Sequence, residues 1–113
     1  MPFINTMTSV KISDEKANSI KAKLGKAIEA FPGKTENWLM IGFNDECKMY
    51  FKGSNEDCAY IEISIFGSVE PSAADKMTAL VTDIINEELG VAPDRIYIKY
   101  EGATDWGWNG SNF

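Results

Sequence analysis

The second residue of this chain is a proline, directly behind Met1. Removal of Met1 would leave Pro2 as a free secondary amine, a group that takes and returns a proton without help from any side chain. The chain contains no histidine, so the usual proton carrier near neutrality is missing. Proton chemistry here needs another group, and Pro2 is the candidate. Proline in second position is also ordinary, and alone it does not mark a catalyst. Lys34 follows a Pro32-Gly33 helix stop. It reads either as a helix-end lysine facing the dipole or as a cation for an acidic ligand. The tail from Trp106 to Phe113 carries three aromatics separated by glycines and amides. It fits a terminal strand at a core edge, and equally the flat wall of a pocket for a ring-bearing ligand.

Composition narrows the classes. The chain has 113 residues, 44% hydrophobic and 25% charged, which fits one globular domain, 1–113. A net charge of −6 and no run of lysines or arginines argue against nucleic acid as a partner. No apolar run reaches a membrane span, and the N-terminus lacks the flank and core of a signal peptide. A cytoplasmic protein is expected, with export only by a non-classical route. Cys47 and Cys58 form no CxxC, and without histidine no metal site is expected. Both cysteines read as small buried or half-buried hydrophobes.

The elements that must position these residues are written twice. A strand over Phe3 to Thr8 is followed by a helix capped by Ser13, with Asp14 and Glu15 at its positive end. Its apolar stripe is Ala17, Ile20, Leu24, Ala27, Ile28 and Phe31. A strand over Trp38 to Phe43 and a short one over Lys48 to Phe51 follow. The second copy opens with a strand over Cys58 to Phe66, Ile61, Ile63 and Ile65 on one face and Tyr60, Glu62, Ser64 and Phe66 on the other. Pro71 and Ser72 start a helix, with Asp75 placed for a capping box. Its stripe is Met77, Leu80, Val81, Ile84, Ile85 and Leu89, and Gly90 ends it. The last strand runs from Arg95 to Glu101. The pseudo-repeats lie at about 2–45 and 58–101, with an aromatic tail over 104–113. Duplicated βαβ units predict an α+β two-layer domain, a four-stranded mixed sheet with two helices on one face. The other face, with Tyr60, Phe66, Tyr97 and Phe3, is semi-apolar and calls for a second subunit as cover.

Taken in order, these residues resemble the macrophage migration inhibitory factor family of the tautomerase superfamily. The resemblance is carried by Pro2 after Met1, Gly33-Lys34, Phe51-Lys52-Gly53-Ser54, Pro93-Asp94-Arg95-Ile96-Tyr97-Ile98, and Gly107-Trp108-Asn109-Gly110-Ser111 through Phe113. It implies a homotrimer with helices outside a barrel-like channel and active sites between neighbouring subunits. It also implies cofactor-free keto–enol tautomerisation of phenylpyruvate-type 2-oxo acids and dopachrome-like compounds. Pro2 then falls on the catalytic base and Lys34 on the lysine that meets the substrate's acidic end. Phe66, before Gly67, falls where the family usually has isoleucine and uses its backbone N–H. Tyr97 falls on a tyrosine donated by the neighbour, and Trp108 and Phe113 on the aromatic wall. Lys99 stands where animal members commonly carry asparagine, and Trp106 replaces a smaller apolar residue. Ile61 stands where the second cysteine of the animal CxxC would be, so no CxxC redox activity is expected. The resemblance also admits a different role, a secreted cytokine or host-mimicking ligand for a receptor, with vestigial catalysis.

Overall fold

The computed structural model describes residues 1–113. Its main sheet has four strands: β1 (Pro2–Thr8), β2 (Met40–Asn44), β3 (Ala59–Phe66) and β4 (Ile96–Ala103). They lie in the order β2-β1-β3-β4. β1 runs parallel to β2 and antiparallel to β3, and β3 runs parallel to β4. Each parallel pair needs a crossover, and helices α1 (Asp14–Ala27) and α2 (Pro71–Leu89) supply them. A two-stranded hairpin, β5 (Gly107–Trp108) and β6 (Ser111–Asn112), forms the C-terminus. The expected α+β architecture is the observed one.

Both helices lie on one face because their apolar stripes match the strands' inward residues. Ile20, Leu24 and Ile28 on one side and Met77, Val81 and Ile85 on the other close over Ile4, Ile61, Ile63 and Ile65, all at most 1% exposed. Ser13 caps α1 by accepting the Lys16 N–H at 3.2 Å. Ser19 and Lys23 of α1 reach Glu88 of α2 at 2.7 and 2.9 Å, tying the two helices together at their outer surface. The carboxyl of Glu88 is thereby held below its ordinary value, by the Ser19 hydroxyl first and Lys23 second.

Local details depart from the sequence pattern. The Ser72–Asp75 capping box is not formed: Glu70 is the N-cap without a side-chain bond, and Pro71 is already the first helical residue. Its fixed φ and missing N–H start the helix early and leave Ser72 inside it. Leu80 belongs to the predicted stripe but is 36% exposed, on the flank of α2. Trp38 does not open β2: Glu36–Trp38 is a 3₁₀ turn, and pairing starts at Phe3↔Met40. β1 has only Pro2 before that register, so earlier residues find no ladder. The expected strand over Lys48 to Phe51 has no partner strand within the chain. Only Phe51 and Ser54 pair, exchanging backbone bonds of 2.9 and 3.0 Å around Lys52-Gly53. Arg95 does not open β4: it lies in a 3₁₀ turn, Pro93–Arg95, and is buried.

The uncovered sheet face is more polar than the alternation suggested. Phe3, Tyr60 and Phe66 are half-buried and Tyr97 is 63% exposed. Between them lies the Lys99 ammonium, paired with Glu62 at 3.4 Å and Glu101 at 3.2 Å. No helix is long and apolar enough to cross a membrane. Both cysteines are free, Cys58 buried and Cys47 half-buried.

One inward group is unpaired. The Thr6 hydroxyl, fully buried in β1 beside Ile4, has no hydrogen-bond partner. Thr6→Val should therefore stabilise the protein by about 1 kcal/mol, since the desolvated hydroxyl is replaced by a methyl of the same shape. Thermal unfolding checks this, with a rise of a few degrees expected. A lower melting temperature would mean that the hydroxyl is satisfied in solution.

Candidate functional site

The site gathers where β1 begins. Pro2 is buried and pairs with Ile65 near the end of β3. The next residue of β3, Phe66, donates its N–H to the Met1 carbonyl at 2.9 Å. Its carbonyl accepts a hydrogen bond from Lys34 Nζ at 3.1 Å.

Lys34 arrives there through the end of the first crossover. Phe31 is 3% exposed and packs on Tyr100 with ring centroids 6.0 Å apart, which anchors the chain in the core. Pro32-Gly33 then turns it: Gly33 has φ 78°, and the Lys34 N–H bonds the Phe31 carbonyl at 3.1 Å. Proline at the second position and a left-handed glycine at the third are what a type II turn requires. The helix-stop reading and the ligand reading of Lys34 are thus compatible, because the stop directs the side chain at β3.

The Met1 amine shows the field at this point. It is held below the ordinary α-amino value, first by desolvation, then by the charge of Lys34 and by a hydrogen bond to it. Burial and Lys34 belong to the surroundings and not to methionine.

An aromatic wall closes one side. Phe113 packs on Phe66 at 5.4 Å and stacks on Trp108 at 6.2 Å with ring planes 7° apart. Trp38 meets Trp108 edge-on at 5.1 Å. Asn109-Gly110, both at positive φ, turn the β5–β6 hairpin, and the Phe113 N–H bonds the Trp106 carbonyl at 3.1 Å. The tail is therefore a small hairpin that carries the wall, not a strand of the main sheet. Gly102 lets the end of β4 lie close against Gly67, just after β3: a Cβ there would run into the Gly67 carbonyl, and the Gly67 N–H bonds the Ala103 carbonyl at 2.8 Å.

Pro2, Lys34, Phe66, Trp108 and Phe113 are thus brought together within one chain. Trp106 stands half-buried at the hairpin base, outside the stacked set. Tyr97 and Lys99 are not brought to it. Tyr97 pairs with Tyr60 and Lys99 with Glu62, whereas Pro2 pairs with Ile65. Five residues along β3 separate the Tyr60 and Ile65 positions, roughly 17 Å of extended strand. Lys99 is moreover held by two carboxylates, and its pKa is raised, by the Tyr60 hydroxyl first and then by Glu101 and Glu62. Trp38 joins the wall although its residue type alone reads as strand; its place four residues after Lys34 is the available signal.

A duplicated βαβ sheet whose first strand starts at a proline, beside a lysine and an aromatic wall, defines a tautomerase-superfamily domain. The family model for macrophage migration inhibitory factor (MIF) matches residues 1–113, and the chain belongs to that family. It is 34% identical to the crystal structure of Leishmania major MIF2, with a TM-score of 0.95 over 100% of this chain and 97% of that one. It is 28% identical to the macrophage migration inhibitory factor of Xenopus laevis over 115 residues, 100% of this chain and 99% of the relative. The D-dopachrome decarboxylase of Gallus gallus is 26% identical over 107 residues, 94% of this chain and 90% of the relative. Relatives named for a cytokine-type factor and relatives named for an enzyme thus both match the same domain.

Proposed function

We propose that the protein, once Met1 is removed, is a keto–enol tautomerase for phenylpyruvate-type 2-oxo acids and dopachrome-like compounds, with Pro2 as its general base. The observation that carries this reading is the contact at Met1. The Met1 carbonyl takes the Phe66 N–H, and the Met1 amine sits against Lys34. Loss of Met1 therefore frees a donor, a cation and the Pro2 amine at one point.

The chemistry follows from those groups. A 2-oxo acid has weakly acidic C–H bonds beside its carbonyl. The neutral Pro2 amine takes one of these protons, and the electron pair of the C–H bond becomes the C=C of the enol. The same amine then returns the proton to the carbonyl oxygen, so the reaction is an isomerisation with no redox step. Desolvation and the Lys34 charge, which lower the Met1 amine, would favour the neutral form of the Pro2 amine in the same sense. Lys34 attracts the substrate carboxylate, and the Phe66 N–H orients it. The rings of Trp38, Trp108 and Phe113 give an aryl group a flat apolar surface.

In this reading a homotrimer completes the site. Tyr97 and Lys99, remote from Pro2 in their own chain, belong to the pocket of the neighbouring subunit, and the uncovered sheet face is buried around the central channel. Sedimentation or light scattering should give three chains per particle. A second reading, receptor-directed signalling by the same trimer, is favoured by the relatives named as migration inhibitory factors.

Enolisation of phenylpyruvate is to be measured on two preparations whose intact masses differ by one methionine. The processed chain should be active and the Met1-retaining chain at least about 100-fold slower, since its base is acylated. Equal activity in the two would overturn the assignment of Pro2.

A further inference from the structure

We infer that Arg95 is a positioning residue for Tyr97, acting through the ring of Phe51. The inference rests on the reading that places Tyr97 in a neighbour's pocket, but its physical content is internal to the chain. Arg95 is 9% exposed and has no carboxylate partner. Its guanidinium donates instead to four backbone carbonyls: Asp57 at 3.0 Å, Phe51 at 3.1 Å, Ser54 at 3.2 Å and Glu56 at 2.9 Å. All four acceptors lie in the 51–57 loop, which has no strand partner in the main sheet. A guanidinium is the side chain that can do this, since its donors form a rigid planar fork.

The clamp has a second effect. The Arg95 guanidinium carbon lies 5.3 Å from the centroid of the Phe51 ring, and Lys52 Nζ lies 5.6 Å from it. The Phe51 ring meets Tyr97 with centroids 4.7 Å apart and planes at 53°. That is within the range of an attractive aromatic pair. Tyr97 is otherwise 63% exposed on an open sheet face and shares a small apolar hollow with Met49, Tyr50, Phe51 and Tyr60. Arg95 fixes the loop, the loop fixes Phe51, and Phe51 limits where the tyrosine ring stands. A tyrosine held in this way loses less freedom when a substrate meets it.

The test uses the full-length, Met1-processed protein with Phe51→Leu, Phe51→Tyr, Arg95→Lys and Tyr97→Ala. Phe51→Leu keeps every carbonyl that Arg95 binds, so the loop survives and only the ring is lost. It should raise KM for phenylpyruvate about 2- to 10-fold and leave kcat nearly unchanged, the range of one aromatic pair. Phe51→Tyr should restore the wild-type KM. Arg95→Lys should reproduce the KM rise and lower the melting temperature as well. Adding Phe51→Leu to Tyr97→Ala should raise KM no further, because the two act as one unit. NMR of ring-labelled tyrosine reads the same coupling without catalysis: the Tyr97 ring signals should shift in Phe51→Leu and in Arg95→Lys. Unmoved Tyr97 signals would overturn the inference whatever the kinetics. Shifted signals with a wild-type KM in Tyr97→Ala would uphold it and instead sink the placement of Tyr97 in a pocket.

Discussion

Pro2→Gly in the processed protein should lower kcat/KM for phenylpyruvate enolisation by about 10²- to 10⁴-fold, the range for loss of a positioned acid–base group. Glycine is small enough in second place to allow the same removal of Met1, so the variant still presents an amine at the same point. What it loses is the ring. Proline's secondary nitrogen is locked into the chain's first torsion, while a terminal glycine amine rotates freely and samples the attack geometry for only part of the time. Residual activity is expected from that amine, and from Lys34 and the Phe66 N–H, which remain. The fold should be unaffected, because the remaining registers of β1, from Phe3↔Ser64 to Thr8↔Ala59, stay in place. A circular dichroism spectrum and a light-scattering mass identical to wild type would exclude misassembly as the cause. A glycine variant with undiminished kcat/KM would refute the mechanism outright.

Lys34→Gln should act on both binding and protonation, in ways that can be separated. Loss of a charge-assisted bond to the substrate carboxylate raises KM about 10- to 100-fold. The second effect concerns the base. Lys34 lowers the Met1 amine, after desolvation, and would act on the Pro2 amine in the same sense once Met1 is gone. An amine is active only when neutral, so activity falls as pH drops below its pKa. Removing the cation raises that pKa, and the acid limb of the kcat/KM profile must move to higher pH. The fold-loss is therefore larger at low pH than at high pH. Lys34→Arg keeps the charge and should keep the limb near its wild-type place. A pH profile in Lys34→Gln that is merely scaled down, without displacement, would show that Lys34 binds the carboxylate but does not tune the base.

Much of the fold was legible because its signals are local. The period-2 alternation of Ile61, Ile63 and Ile65 and the helical spacing of Ile20, Leu24 and Ile28 depend only on neighbours in sequence, and all six are buried as expected. Elements decided by partners elsewhere were misread. Lys48 to Phe51 has the composition of a strand but finds no edge to join in its own chain. Trp38 has β propensity, yet β1 offers no ladder before Met40, so the indole is left to meet Trp108. Arg95 reads as the first residue of the last strand, but it lies in a 3₁₀ turn and its guanidinium binds the 51–57 loop.

The site divides along the same line. By itself the sequence determined the chemical inventory: a proline amine behind Met1, a chain without histidine, one lysine after a Pro-Gly turn, and a tail rich in rings. These are matters of residue type and short spacing. Only the tertiary structure decided that Lys34 reaches the Phe66 carbonyl, that the Phe66 N–H faces residue 1, and that Phe113 packs on Phe66 while stacking on Trp108. It also decided that Tyr97 and Lys99 stand far along the sheet from Pro2 in their own chain. Apart from Phe113 on Trp108, near neighbours in sequence, these contacts join residues 32 to 65 positions apart. They are set by strand register and by the close approach at Gly102, where a side chain would run into the backbone of Gly67 just after β3. No pattern read along the chain carries a distance across the sheet.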